Sequence, residues 1–250
     1  NLEARKKELL ATADSLITVK QKGNSSPEAV NLARLLGSAE QRLLATIDGG
    51  LNAEIAELEQ RIEDAGEPPK PEFVLHILIW LNELAYIYKA IGELDKSQQN
   101  ILKSLEIAER LGLQKTVADA YGNLGLIYRT KGDLDKAEDM HNKSLEIEKK
   151  LGRLEGMASQ YGNLGIVYCE RGDLDKAEEM HLKALEIDKK LDRLEGMAND
   201  YANLGSVYEQ RGDIGKAKEY WEKALGLFKK IGMPHMVEKV EGWIEGIDTE

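Results

Sequence analysis

Little in this chain could staple it, stop it or hold it in a membrane. Cys169 is the only cysteine among 250 residues. An internal disulfide and a cysteine-based metal centre are therefore excluded, and a reducing compartment such as the cytoplasm is expected. There are only five prolines and two phenylalanines. Most of the chain is thus free to be helical. No apolar run approaches the ~18 residues that a membrane span needs, and no secretory leader pattern is visible. Basic residues are outnumbered, 34 Lys and Arg against 45 Asp and Glu, for a formal charge of −11. That deficit excludes a general nucleic-acid binder, which needs clustered cations. It favours solubility and a basic partner.

What is present is a period of forty residues. Tyr121-Gly-Asn-Leu-Gly125, Tyr161-Gly-Asn-Leu-Gly165 and Tyr201-Ala-Asn-Leu-Gly205 open three copies, and Leu81-Asn-Glu-Leu-Ala85 opens a degenerate fourth. Residues 121–160 and 161–200 agree at 28 of 40 positions. Such a period predicts stacked supersecondary units, each burying its apolar face on its neighbours.

Prolines mark the boundaries. Pro68, Pro69 and Pro71 form a stiff breaker. Before it the apolar spacing predicts an N-terminal helical bundle over 1–66, with helices at about 2–21, 27–48 and 52–65. The last carries Leu51, Ile55, Leu58 and Ile62 in a stripe. Pro27 and Pro234 each suit a first helical turn. After the junction at 67–72, each unit is expected to hold two helices. In one unit Ala118, Tyr121, Leu124, Gly125, Ile127 and Tyr128 stripe the first helix, and Gly132 ends it. Asp133 or Asp135 can cap the second, and Asp135 with Glu138 has the spacing of a capping box. Ala137, Met140, Ser144, Leu145 and Ile147 then form its apolar stripe. The runs Glu146-x-Glu148-Lys-Lys and Glu186-x-Asp188-Lys-Lys read as solvated faces.

These residues resemble the tetratricopeptide repeat, whose signature the last full copy spells as Tyr201, Asn203-Leu-Gly205, Tyr208, Gly212-Asp213, Ala217, Trp221 and Ala224-Leu225. The resemblance covers about 73–250 and implies an all-α fold, a right-handed α-solenoid of antiparallel helix pairs. Units are expected at about 78–117, 118–157, 158–197 and 198–233, with a capping helix at about 235–248. Two departures stand out. The usual period is about 34 residues and ends in a proline, which is missing here. The longer form resembles repeats of cell-polarity adaptors, of Rap-type response-regulator inhibitors and of bacterial multidomain sensors. In addition, His141 and His181 stand where the family has an aromatic ring.

The histidines could be metal ligands if they converged with a third donor; the alternative is that each packs between helices. No Ser-His-Asp cluster or phosphate-binding loop is present, so neither catalysis nor a cofactor or metal is expected. The resemblance places the first helix of each unit on a concave groove, where Asn123, Asn163 and Asn203 recur once per unit. A side-chain amide both donates and accepts, so such a ladder would suit an extended peptide, or would tie neighbouring helices together. Asp119, Leu126, Arg129, Thr130, Ser159, Ile166, Cys169, Glu170, Asn199, Ser206, Glu209 and Gln210 are expected on the same faces, with Trp243 on the capping helix. Arg129 and Trp243 are the residue types that anchor interfaces. The set that grips a C-terminal carboxylate in chaperone-binding relatives is missing.

The function implied is a non-catalytic scaffold with a protein or peptide partner. Alternatives are a Rap-like peptide-responsive regulator, or the sensor arm of a larger enzyme, the latter prompted by a start at Asn1 and not Met. An exposed end of the stack leaves a homo-oligomer open.

Overall fold

The computed structural model describes residues 50–66 and 73–248. The chain divides into two units, Asn1–Gly66 and Glu67–Glu250. In the first, one helix is described, α1 (Gly50–Asp64), with Ile55 and Leu58 buried along its stripe and Ile62 half-buried. The helices expected at about 2–21 and 27–48, and the junction at 67–72, lie outside the described residues.

The second unit is a run of helices in antiparallel pairs: α2 (Val74–Ala90) with α3 (Leu94–Arg110), α4 (Gln114–Thr130) with α5 (Leu134–Leu151), α6 (Leu154–Arg171) with α7 (Leu174–Lys190), α8 (Leu194–Gln210) with α9 (Ile214–Ile231), then α10 (Pro234–Asp248). Every regular element among the described residues is helical. From α2 to α10, consecutive helices pack on one another, as a stack of supersecondary units must.

The turns are built alike. Gly132 has φ +81, a left-handed conformation open to glycine because it has no Cβ. The following Asp133 N–H then reaches back to the Tyr128 carbonyl at 2.9 Å, closing the helix end. Asp133 also caps α5, accepting from the Lys136 N–H, and Asp173 and Asp213 do the same for α7 and α9. Asp135 is not the cap. It lies in the first turn and pairs with Arg171 at 2.8 Å, while Glu138 takes Arg171 and the Tyr168 hydroxyl, each at 2.5 Å. The clamp recurs one unit on, where Arg211 holds Asp175 at 2.6 Å and also Glu178. Among the described residues one turn departs: Asp192 takes φ +51 without being glycine.

Within each pair, one large side chain lies on a small residue. The His141 ring sits where a Cβ on Gly125 would come within 2.6 Å, and His181 does the same to Gly165. Trp221 lies on Gly205, where the gap would be 2.2 Å. The first pair has Ile101 at the equivalent position and Ala85 opposite, both buried in one cluster. A ring requires the glycine; the slimmer isoleucine leaves room for a methyl group.

The charge run ending α5 is not a solvated face throughout. Glu148 is 1% exposed and Asp188 is 4% exposed. Their carboxylates lie over Gly156 and Gly196 of the next helix, filling the space a Cβ would occupy. Each has an arginine five residues on: Glu148 with Arg153 at 3.1 Å, Asp188 with Arg193 at 3.2 Å. Burial pushes both carboxyl groups above the usual range, against the pull of those arginines. In the first and last pairs the same position is apolar, Ala108 and Phe228, both fully buried.

Arg153→Leu, which strands the Glu148 carboxylate, is expected to cost about 2 kcal/mol, below the fully buried range because the arginine is partly solvated. Glu148→Ala with Arg153→Leu and Gly156→Thr copies the Ala108, Leu113 and Thr116 solution of the first pair and recovers most of that loss. Thermal unfolding of both variants checks the difference. Asp192→Gly is expected to raise stability by about 0.5–1 kcal/mol by relieving the left-handed turn, read as an increase in melting temperature.

Candidate functional site: the inner face of the stack

The first helices of neighbouring pairs touch, α4 with α6 and α6 with α8. Among the described residues no two second helices meet as extensively. A stack closer on one side than the other curves toward that side, so the first helices line the inner face.

On that face Asn123, Asn163 and Asn203 are one unit apart. Asn123 is exposed and the other two are half-buried. The neighbouring Gly122 and Gly162 turn inward, toward Gln160 and Asp200 of the following first helix. None of the three asparagine side chains makes a hydrogen bond among the described residues.

The other expected residues share these helices and largely bond locally. The Ser159 hydroxyl donates to the Glu155 carbonyl at 3.1 Å, Ser206 to Ala202 at 3.4 Å and Thr130 to Leu126 at 2.9 Å. Asp119 is exposed and lies 3.7 Å from Arg153. Arg129 approaches Glu170 across the gap between α4 and α6 at 3.8 Å. The Gln210 amide donates to the Cys169 sulfur at 3.1 Å, and burial raises that thiol's pKa. Leu126 and Ile166 are half-buried, while Asn199 and Glu209 are exposed. Trp243 is taken up elsewhere: it packs on Trp221, ring centroids 5.5 Å apart, in the core that α10 closes. α10 supplies to the last pair the cover that a following first helix gives the others.

Sequence reasoning placed Leu126, Ile166 and Ser206 on this face but left out Tyr86, the equivalent residue of the first unit, three residues beyond the asparagine position. Tyr86 is 75% exposed, and Leu75 and Ile79 on the same face of α2 are 65% and 54% exposed. The signal was available in the forty-residue register, which carries Leu126 back to Tyr86 in the degenerate first copy.

The histidines do not converge. The Nδ1 of His141 is 2.9 Å from the Gln160 side-chain oxygen, and that of His181 is 3.8 Å from Asp200. Each ring is buried, with its own partner on the next helix. Among the described residues no cluster of three potential ligands forms. Burial lowers the His141 pKa to about 4, although the bond to Gln160 opposes the shift. Burial raises the Asp200 carboxyl to about 6, with His181 pulling the other way.

These two shifts act oppositely on stability. The depressed His141 contributes stability that is present above its unfolded pKa near 6.5 and lost as pH falls toward 4. The raised Asp200 costs stability above about pH 6, and that cost is relieved as pH falls toward 3.8. Asp200→Asn removes only the relief. Between pH 6.5 and 4 the variant is expected to lose about 2 kcal/mol more than the parent, measured as urea midpoints at the two pH values.

The tetratricopeptide repeat family profile matches residues 76–150 and 156–230. No curated protein matches the chain in sequence. Among solved structures, BtubC (BKLC) from P. vanneervenii is similar with a TM-score of 0.66 at 23% identity, over 91% of this chain and 92% of that one. A putative kinesin light chain with nearly identical TPR-like repeats from Podosopora anserina gives 0.63 at 20% identity, over 79% and 96%. MamA gives 0.53 at 23% identity, over 74% and 93%. At these identities the likeness is one of fold. No helix among the described residues is long and apolar enough to cross a membrane. The family match covers more than half of the chain, which therefore belongs to the tetratricopeptide repeat family.

Proposed function

We propose that this tetratricopeptide repeat protein is a non-catalytic, cytoplasmic interaction scaffold, an adaptor holding a protein or peptide segment along the inner face of its helix pairs. The fold supports the general role, since stacked repeats offer an extended surface made of side chains that packing does not consume. One observation carries the finer reading. Asn123, Asn163 and Asn203 stand in register on that face with donors and acceptors unspent within the described chain. An extended segment presents N–H and C=O groups at intervals along its length, and three aligned amides can answer them. The row Leu126 and Ile166 beside them supplies apolar contact.

The test replaces all three asparagines by alanine. Peptides selected by the intact chain from a random library are expected to lose about tenfold or more in affinity for the triple variant, as removal of several hydrogen bonds implies. The melting temperature should move little, because the amides hold nothing within the fold. Unchanged affinity for every selected peptide would remove the ladder from the mechanism.

A further inference from the structure

Two residues of α2 break a rule that the other first helices keep. Leu75 is 65% exposed and Ile79 is 54% exposed. The equivalents of Leu75 are Lys115, Glu155 and Glu195, and those of Ile79 are Asp119, Ser159 and Asn199. All six are polar and exposed. The fold therefore leaves both positions in water in every pair, and packing asks nothing apolar of them. Tyr86 adds a third large side chain, 75% exposed, where the last pair has Ser206. A contiguous apolar stripe that its own fold does not use marks an interface.

The three side chains share one face of α2. With Asn82 between them they are spaced four, three and four residues apart, the interval of a helix seam. Asn82 does not oppose burial of that seam. Its side-chain nitrogen donates inward, to the Leu78 carbonyl at 2.7 Å and the Ser104 hydroxyl at 3.3 Å. The spacing also reads the same from either end. Turned about a two-fold axis level with residues 80 and 81, α2 meets itself antiparallel. Leu75 then lies against Tyr86 of the other copy, and Ile79 against Asn82.

Area decides whether such a pairing can hold. At these exposures the stripe offers about 350 Å² of apolar surface in each copy. Two copies together bury about 700 Å², the apolar share of an interface of about 1,200 Å². That is the lower end of specific interfaces, so the complex it supports is a reversible dimer. A formal charge of −11 on each copy opposes it at low ionic strength.

We propose that α2 is a self-association surface, on which two copies of this chain pair antiparallel through Leu75, Ile79 and Tyr86. The pairing occupies the Tyr86 end of the apolar row. None of the ladder asparagines takes part, so the dimer stands or falls independently of the groove reading.

Sedimentation velocity of the full chain from about 1 to 100 µM is expected to show a monomer passing into a dimer, with a Kd in the micromolar range. Added salt should tighten the dimer, because it screens the like charges of the two copies. Leu75→Glu/Ile79→Asn/Tyr86→Ser copies the residues with which the last pair already folds, and should weaken the dimer at least tenfold. Leu75→Glu alone takes its place should circular dichroism show a loss of helix. Leu102→Asn removes an exposed leucine of α3 and copies Asn142. It should dimerise as the parent does, and so should the triple asparagine variant. A monomer at every concentration overturns the proposal, whatever else the face then binds. A dimer that survives the α2 substitutions overturns its placement on this helix. Equal weakening by Leu102→Asn shows unspecific apolar association and overturns it as well.

Discussion

The close approach of paired helices depends on a ring, or a branched side chain, seated against bare backbone. Gly125 under His141, Gly165 under His181 and Gly205 under Trp221 leave no room for a Cβ. Protein interiors are packed at crystal-like density, so such a contact fixes separation as well as favouring association. Ala85 opposite Ile101 shows the same rule met by smaller partners on both sides. With that distance set, the second helix presents a charged outer face, and the first is left with one face toward its neighbours and another toward solvent. The inner face exists because packing is satisfied without it.

Much of this architecture was legible in the sequence because it is written four times. The apolar spacing and the turn glycines recur at one interval, so each copy checks the others. The recurrence of Asn123, Asn163 and Asn203 was legible for the same reason. What failed was the treatment of charge. Glu148 and Asp188 stand next to lysines at a helix end, a context that reads as solvated. Their burial is encoded on the following helix, in Gly156 and Gly196, and in the arginines Arg153 and Arg193. A glycine eight residues after a carboxylate is a long-range signal, and periodicity within one helix does not carry it. The capping assignment failed more narrowly. Asp133 and Asp135 both suit a helix start, and only the turn's backbone bonds, with Arg171 waiting for the second carboxylate, separate them. Trp243 illustrates a third limit: a large aromatic near the end of a stack satisfies equally the description of an anchor and that of a lid.

On the reading proposed above, the amides of Asn123, Asn163 and Asn203 offer hydrogen bonds without preference for sequence, because backbone groups are common to all peptides. The adjoining row runs from Tyr86 through Leu126 and Ile166 to Ser206, so it loses apolar surface along its length. On that reading, fit along the row is set by residues other than the amides, and one fold can serve different ligands.

The partners that the rings meet on the next helix have a consequence for assembly. Ile101 clusters with Ala120, His141 takes Gln160, His181 faces Asp200, and Trp221 shares its core with Val240. Copies agreeing at 28 of 40 positions are at risk of joining out of order, since a helix pair that skipped its neighbour would find a near duplicate. Doing so would put Ile101 over the Gln160 amide, or the His181 imidazole over Val240, entombing a polar group with nothing to bond. The first and last junctions thus act like differently cut keys, whereas the two histidine junctions are alike enough that His141 over Asp200 would repeat the His181 pairing.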